Sequence, residues 1–201
     1  MTYRVNEVYR SPQGEGGRSG HDSVFLRFTG CNLRCAKQAG PKSPGGFDCD
    51  TEFESGRSMS LDQLVAWVVE EAGDCRWVVM TGGEPALQVD ATLVEALHAA
   101  GFSLAIETNG SKKVADGIDW ITVSPKVAEH CIRQLVATEV KYVRGYGQAL
   151  PETVVAAERY FISPTFNGLE PDPRAVEWCK NIIRGSKWEL SIQKHKLLGQ
   201  R

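Results

Sequence analysis

The chain has 201 residues, 42% of them hydrophobic and 24% charged, with a formal net charge of −2 at pH 7. This is ordinary globular usage, enough for one domain with a proper core, and residues 1–201 are read as a single domain. The absence of a basic excess excludes a dedicated nucleic-acid binder. No apolar run is long enough for a membrane helix, and Met1–Glu7 carries no apolar signal core, so a cytoplasmic protein is expected.

Val24-Phe25-Leu26-Arg27-Phe28 reads as a buried strand, followed by a long loop from Gly30 to about Gly56. Ser60-Leu61-Asp62-Gln63 is a capping box. The helix it opens places Leu61, Leu64, Val65, Val68 and Val69 on one apolar face and ends near Gly73. Trp77–Met80 is a continuous apolar strand. Asp90 caps a second helix, with Leu93, Val94 and Leu97 inward and Gly101 at its end. Ser103–Ile106, Trp120–Val123 and Val140–Val143 read as strands, and a short helix is expected near Pro151. Tyr160–Ile162 is a further strand. Asp172-Pro173 starts a helix carrying Val176, Cys179 and Ile183 inward, and Trp188–Ile192 closes the chain as a strand. Strands that are apolar throughout are buried on both faces, so an α/β fold with a parallel sheet follows, open or barrel-like.

Polar segments recur at one topological position. Thr81-Gly82-Gly83-Glu84-Pro85, Glu107-Thr108-Asn109-Gly110 and Ser124-Pro125-Lys126 each directly follow a strand. In parallel α/β proteins sites form at the carboxyl ends of strands. Any one segment alone reads as a turn; three in succession read as one site. Two adjacent glycines let a backbone pass close to a ligand. No G-x-G-x-x-G follows a strand and no P-loop is present, which disfavours a dinucleotide site.

Six cysteines in a reducing compartment point to metal or redox chemistry rather than disulfides. Cys75, Cys131 and Cys179 are scattered and read as small core hydrophobes. Cys31, Cys35 and Cys49 share the long loop, and no histidine lies within it. Closed structural zinc takes four ligands. A [4Fe–4S] cluster on three cysteines leaves one iron open for a small molecule. Spacing alone leaves both open.

Taken together, Cys31-Asn32-Leu33-Arg34-Cys35 and the three strand-end segments resemble the radical S-adenosylmethionine superfamily. That superfamily uses C-x3-C-x2-C and a GGEP segment that binds the amino group of the cofactor. Ser11–Gly16, Phe25-Leu26-Arg27, Cys49-Asp50-Thr51 and Ser191–Lys196 narrow the resemblance to the 7-carboxy-7-deazaguanine synthases, over nearly the whole chain. Gln38 stands where the compact motif has its third cysteine. Cys49 precedes Asp50-Thr51 instead, so the loop reads as extended by about eleven residues, at modest entropic cost.

The resemblance implies a shortened, modified partial βα (TIM-like) barrel. It implies conversion of 6-carboxy-5,6,7,8-tetrahydropterin to 7-carboxy-7-deazaguanine with loss of ammonia, toward queuosine and related deazaguanines. A reduced [4Fe–4S] cluster would cleave S-adenosylmethionine to a 5′-deoxyadenosyl radical, which starts a ring contraction at substrate C6. An external one-electron reductant of flavodoxin or ferredoxin type and a homodimer are implied too. Cys31, Cys35 and Cys49 would hold the cluster and Thr51 a Mg²⁺. Gly82, Gly83, Glu84, Glu107, Asn109, Ser124 and Lys126 would contact the cofactor. Gln13, Glu15, Arg27, Thr81, Gly83, Gln193 and His195 would contact the pterin, with Arg27 on its carboxylate.

Without the resemblance, Arg27 inside an apolar strand either pairs with a buried carboxylate or awaits a ligand, and His195 between two lysines reads as solvated tail. Two rival functions are a glycyl-radical-type activating enzyme working on a partner protein and a non-catalytic zinc-binding module. The first does not need Gln13, Glu15 and Arg27; the second leaves the strand-end segments unused.

Overall fold

The computed structural model describes residues 2–33, 35, 49 and 52–200. Nine strands form one sheet. β1 (Thr2–Pro12), β2 (Asp22–Phe28) and β3 (Arg57–Ser60) are joined by antiparallel pairing. β4 (Trp77–Gly82), β5 (Ser103–Thr108), β6 (Trp120–Val123), β7 (Val136–Arg144) and β8 (Ala156–Pro164) run parallel to β2, each beside the next. After the small hairpin of β9 (Phe166–Asn167) and β10 (Glu170–Pro171), β11 (Trp188–Leu190) pairs parallel with β8. The order is β11-β8-β7-β6-β5-β4-β2-β1-β3. The parallel block follows from the continuous apolar strands, and its shared direction brings the carboxyl ends of β2, β4, β5, β6 and β7 to one edge.

Alternation within each strand divides the sheet into two unlike faces. Leu26, Phe28, Val78, Met80, Leu104 and Ile106 are fully buried in the larger core cluster. α1 (Leu61–Ala72) and α2 (Ala91–Ala99) cover that side, burying Leu64 and Val68, and Leu93 and Leu97. Farther along the sheet, Val140, Ile162, Cys179 and Trp188 form a second cluster beneath α3 (Pro173–Ile182). The opposite face carries only a small apolar patch of Tyr9, Phe25, Val79 and Ala105. Two residues farther along β2, β4 and β5, that face turns polar. Arg27 is in register with Thr81, Glu107 with Thr122, and Thr122 with Glu139.

Local signals account for the helix ends. Ser60 accepts from Gln63 N while the Gln63 side chain accepts from Ser60 N, and Gly73 ends α1 at φ 55°. Asp90 accepts from Leu93 N, and Asp172 caps α3 with Pro173 at its first position.

Several expectations need correction. Val69 is 49% exposed, because the helix turns it beyond the buried stripe of Leu64 and Val68; Trp67 packs on the core in part instead. Residues 151–155 form no helix and lead directly into β8. Cys131 is exposed at the end of a 3-10 turn, whereas Cys75 and Cys179 are buried as expected. β1 gave no sequence signal of its own, yet it lies beside β2 with Val5 fully buried. The C-terminal segment is not a free tail: α4 (Lys194–Leu197) is tied down by the Lys194 N–H donating to Gly14 O at 3.0 Å.

Candidate functional site

At the carboxyl edge of the polar face lies a cavity of about 190 Å³. It is lined by Gln13, Glu15, Arg27, Thr81, Glu107, Gln193 and His195 among others. Six of the seven residues expected at the pterin are therefore together. Glu107, expected at the cofactor, lines the same cavity.

Arg27 stands where both of its sequence readings meet. Its Nε lies 2.9 Å from Glu7 Oε1 on the neighbouring strand, and a terminal nitrogen donates to Tyr9 Oη at 2.9 Å. Tyr9 stacks on Phe25 at 5.3 Å between ring centroids. The guanidinium is thus paired and oriented, and it still faces the cavity.

The carboxylates of the cavity are acceptors held by donors. The Glu107 carboxylate accepts from Gln13 Nε2 at 2.9 Å and from Thr81 Oγ1 at 3.0 Å. Glu15 accepts from Gln193 Nε2 at 2.7 Å and from Lys141 Nζ. Burial opposes charge on Glu15, but the Lys141 ammonium and the hydrogen bonds outweigh it and hold the carboxyl at about 2. His195 is pushed down by burial, against the attraction of Glu15. Its ring fits only because residue 14 is glycine: a Cβ there would come within 2.0 Å of His195 Nδ1.

The strand-end glycines serve the cysteine loop. Gly82 has φ 115°, and a Cβ there would meet Phe28 O at 2.2 Å. A Cβ on Gly83 would meet Gly30 O at 2.0 Å and the Cys31 Cβ at 3.2 Å. Gly83 N donates to Phe28 O, and Glu84 N to Gly30 O. Gly82-Gly83 thus packs against the backbone that opens the cysteine loop, rather than lining the cavity.

The Glu84 side chain is fully buried and accepts from Ala86 N, Thr108 Oγ1 and Asn109 N at 3.0, 2.7 and 2.7 Å. Burial raises its pKa, and these donors work against that. Asn109 Nδ2 in turn donates to Asn32 Oδ1 at 3.1 Å, and Asn32 Nδ2 to Ser111 Oγ at 2.8 Å. The segment after β5 therefore holds the residue next to Cys31. Ser124 N donates to Thr108 O at 2.8 Å, joining the ends of β5 and β6.

Burial pushes up the Cys31 and Cys35 thiols, and Cys49 acts on both electrostatically, so the three sulfurs share one region. Lys126 lies near enough to Cys35 to favour its thiolate. Among the described residues no three His, Cys, Asp or Glu side chains are grouped for a single metal ion. A four-iron cube spreads its thiolates farther than one ion does, and metal binding deprotonates such thiols. The donor set and the close Gly83–Gly30 approach beside Cys31 fit a cluster. Thr51, the expected Mg²⁺ position, lies outside the described residues.

Sequence reasoning missed Lys141 and Glu139. Both are buried and face the polar side of β7. The available signal was a charge interrupting an apolar strand, the same one that marked Arg27.

No family model matches the chain. A protein of Bradyrhizobium diazoefficiens named 7-carboxy-7-deazaguanine synthase is 40% identical over 100% of both chains. Those of the same name from Burkholderia multivorans and Caulobacter vibrioides are 41% and 39% identical. They cover 98% and 99% of this chain, and 99% of each relative. The crystal structure of QueE from Escherichia coli is similar at a TM-score of 0.70 and 24% identity, covering 97% of this chain and 95% of that one. At that identity the likeness shows the mixed α/β fold with its large, mostly parallel sheet. Through its curated relatives, this chain belongs to the 7-carboxy-7-deazaguanine synthase family.

Proposed function

We propose that the cavity receives 6-carboxy-5,6,7,8-tetrahydropterin and that the protein is a carbon–nitrogen lyase converting it to 7-carboxy-7-deazaguanine and ammonia. The observation that carries the reading is the chemistry of the cavity lining, which holds the Arg27 guanidinium together with the Glu15 and Glu107 carboxylates. A carboxypterin carries the complement of both kinds of group. Its carboxylate suits a guanidinium, and its aminopyrimidinone edge presents N–H donors that suit carboxylates. An extended polypeptide backbone, the substrate of a glycyl-radical activase, has no use for such a charge pattern.

Cys31, Cys35 and Cys49 would hold a [4Fe–4S] cluster whose open iron takes S-adenosylmethionine; when bound, these supply the hydrogen-abstracting radical chemistry. The chain's own residues orient and enclose. Gly82-Gly83 lets the β4 end lie against the cysteine loop and offers backbone to the cofactor's methionine end. Glu84 fixes that turn from inside, and Asn109, Ser124 and Lys126 border the cofactor's nucleoside side. Arg27 grips the substrate carboxylate; Gln13, Glu15 and Thr81 address its heterocycle; Gln193 and His195 cover it. Sheltering the site from water protects a reactive intermediate. Thr51 would hold a Mg²⁺, a hard ion that prefers oxygen ligands. The same reading includes a partial βα barrel formed by the sheet, a single domain, a homodimer, a flavodoxin- or ferredoxin-type reductant and a cytoplasmic location.

The discriminating experiment compares two substrates on the anaerobically reconstituted enzyme. The carboxylated tetrahydropterin is expected to be consumed with one ammonia released per product. Tetrahydropterin without the carboxylate is expected to remain. Equal consumption of both would remove the role given to Arg27, and consumption of neither would remove the pterin reading.

A further inference from the structure

Lys141 projects from the middle of β7 onto the polar face, with its side chain only 10% exposed. Its neighbours Val140 and Tyr142 are buried in the core on the opposite side. Burying an ammonium is costly unless it is paired, and Lys141 Nζ is paired with Glu15 Oε2. It does not line the cavity; Glu15 does. The other Glu15 oxygen accepts from Gln193. Three parts of the chain therefore converge on one carboxylate: the centre of the sheet, the loop after β1 and the C-terminal segment. Two further hydrogen bonds support the junction, both 3.0 Å: Lys194 N donates to Gly14 O, and Gly16 N to the Ser191 side-chain Oγ.

We propose that Lys141 is a positioning residue of the pterin site, holding Glu15 as an ionised acceptor aimed into the cavity and, through Glu15, holding Gln193 and the C-terminal segment over it. This rests on the pterin reading above. An ionised carboxylate has about four lone-pair sites. Lys141 and Gln193 occupy one on each oxygen, which leaves one on each for two N–H donors of the substrate's aminopyrimidinone edge.

Without the ammonium, burial would drive Glu15 toward its protonated form, which presents a donor to donors. The charged groups around it sharpen the effect. Glu107 from β5 and Glu139 from β7 both act on Lys141. From the C-terminal segment His195 acts on Glu15 and Lys196 on His195, while Arg159 and Arg18 act on Glu139. Removing Lys141 takes away the ammonium that is bonded to Glu15.

The test is Lys141→Met in the anaerobically reconstituted full-length enzyme. Iron and sulfide content and S-adenosylmethionine cleavage without pterin are expected to match the wild type. KM for the carboxypterin is expected to rise at least about tenfold, with a much smaller change in kcat. That KM is also expected to become pH-dependent, falling as pH rises and Glu15 ionises. Lys141→Met combined with Glu15→Gln removes the orphaned charge and keeps the test open if the single variant folds poorly. It is expected to fold normally and to show a raised KM without the pH dependence. A wild-type KM and pH profile in either variant overturns the inference, as does loss of cluster and cofactor cleavage in step with turnover. A wild-type enzyme that leaves the pterin unchanged instead refutes the substrate reading on which the inference rests.

Discussion

The Glu84 carboxylate at the end of β4 accepts the backbone N–H of Asn109 at the end of β5, at 2.7 Å, inside the protein. With the Thr108 hydroxyl and Ala86 N also donating to it, one side chain ties two adjacent strand ends together. Glu84→Ala strands those donors in an apolar interior, and each unsatisfied buried group costs about 1–3 kcal/mol. A loss of at least about 2 kcal/mol in unfolding free energy is expected from urea denaturation, with lower iron loading because Asn109 also anchors Asn32. Unchanged stability would mean that water replaces the carboxylate at no cost.

Gly83→Ala tests the close approach to the cysteine loop. Its Cβ would lie 2.0 Å from Gly30 O, a backbone atom that cannot swing away. Overpacking of this kind costs about 1–3 kcal/mol, and it displaces the chain next to Cys31. Iron and sulfide per chain after reconstitution are expected to fall well below wild type, while circular dichroism keeps the α/β signature. Normal cluster content would separate the glycine pair from the cysteine loop.

Arg27→Ala probes the guanidinium that lines the cavity. Cluster assembly and cofactor cleavage without pterin are expected to survive, because Arg27 bonds only toward Glu7 and Tyr9 among its described contacts. Pterin turnover is expected to fall by about a hundredfold or more, as for loss of a charge-assisted pair worth roughly 3 kcal/mol. Loss of the cluster itself would contradict the assigned role.

Acid is expected to weaken the fold in two stages. His195 is held below its ordinary value of about 6.5, so its contribution is present above that pH and is lost as pH falls through the lowered value. Glu15 is held at about 2. Its contribution is present above the ordinary glutamate value of about 4.3 and is lost as pH falls toward the folded one. Lys141 is shifted upward, so its share is intact below about 10.4 and is lost only as pH rises through its folded value. Urea midpoints measured from neutral to acid pH should decline in both stages in the wild type. Glu15→Gln should show a smaller lower stage, the remainder belonging to other carboxyls held low such as Glu52; the same acid profile in both proteins would contradict the Lys141–Glu15 pairing.

The sequence exposed what depends on local pattern. Continuous apolar runs marked β2, β4, β5 and β6, and the Ser60, Asp90 and Asp172 caps marked three helix starts. β1 escaped because Arg4, Asn6 and Arg10 interrupt its apolar residues, and its burial comes from pairing with β2 and β3. Val69 escaped because apolar spacing defines a stripe but not its width.

Within the site, strand-end position brought out Thr81, Glu107, Asn109 and Ser124, since direction in a parallel sheet collects those ends on one edge. What Gly82-Gly83 packs against was not legible: the contact with Gly30 joins segments far apart in sequence. The same holds for Lys141, whose partner Glu15 is 126 residues away. The C-terminal residues Gln193 and His195 were legible only through family resemblance, because nothing local distinguishes a short basic helix from a tail.

The most direct measurement is product mass after anaerobic turnover. The reconstituted protein would be given reductant, S-adenosylmethionine, Mg²⁺ and 6-carboxytetrahydropterin. The account predicts a product lighter than the substrate by one ammonia, formed only when every component is present. A cluster that forms and cleaves S-adenosylmethionine while the pterin survives unchanged would contradict it and point instead to a partner protein as the substrate.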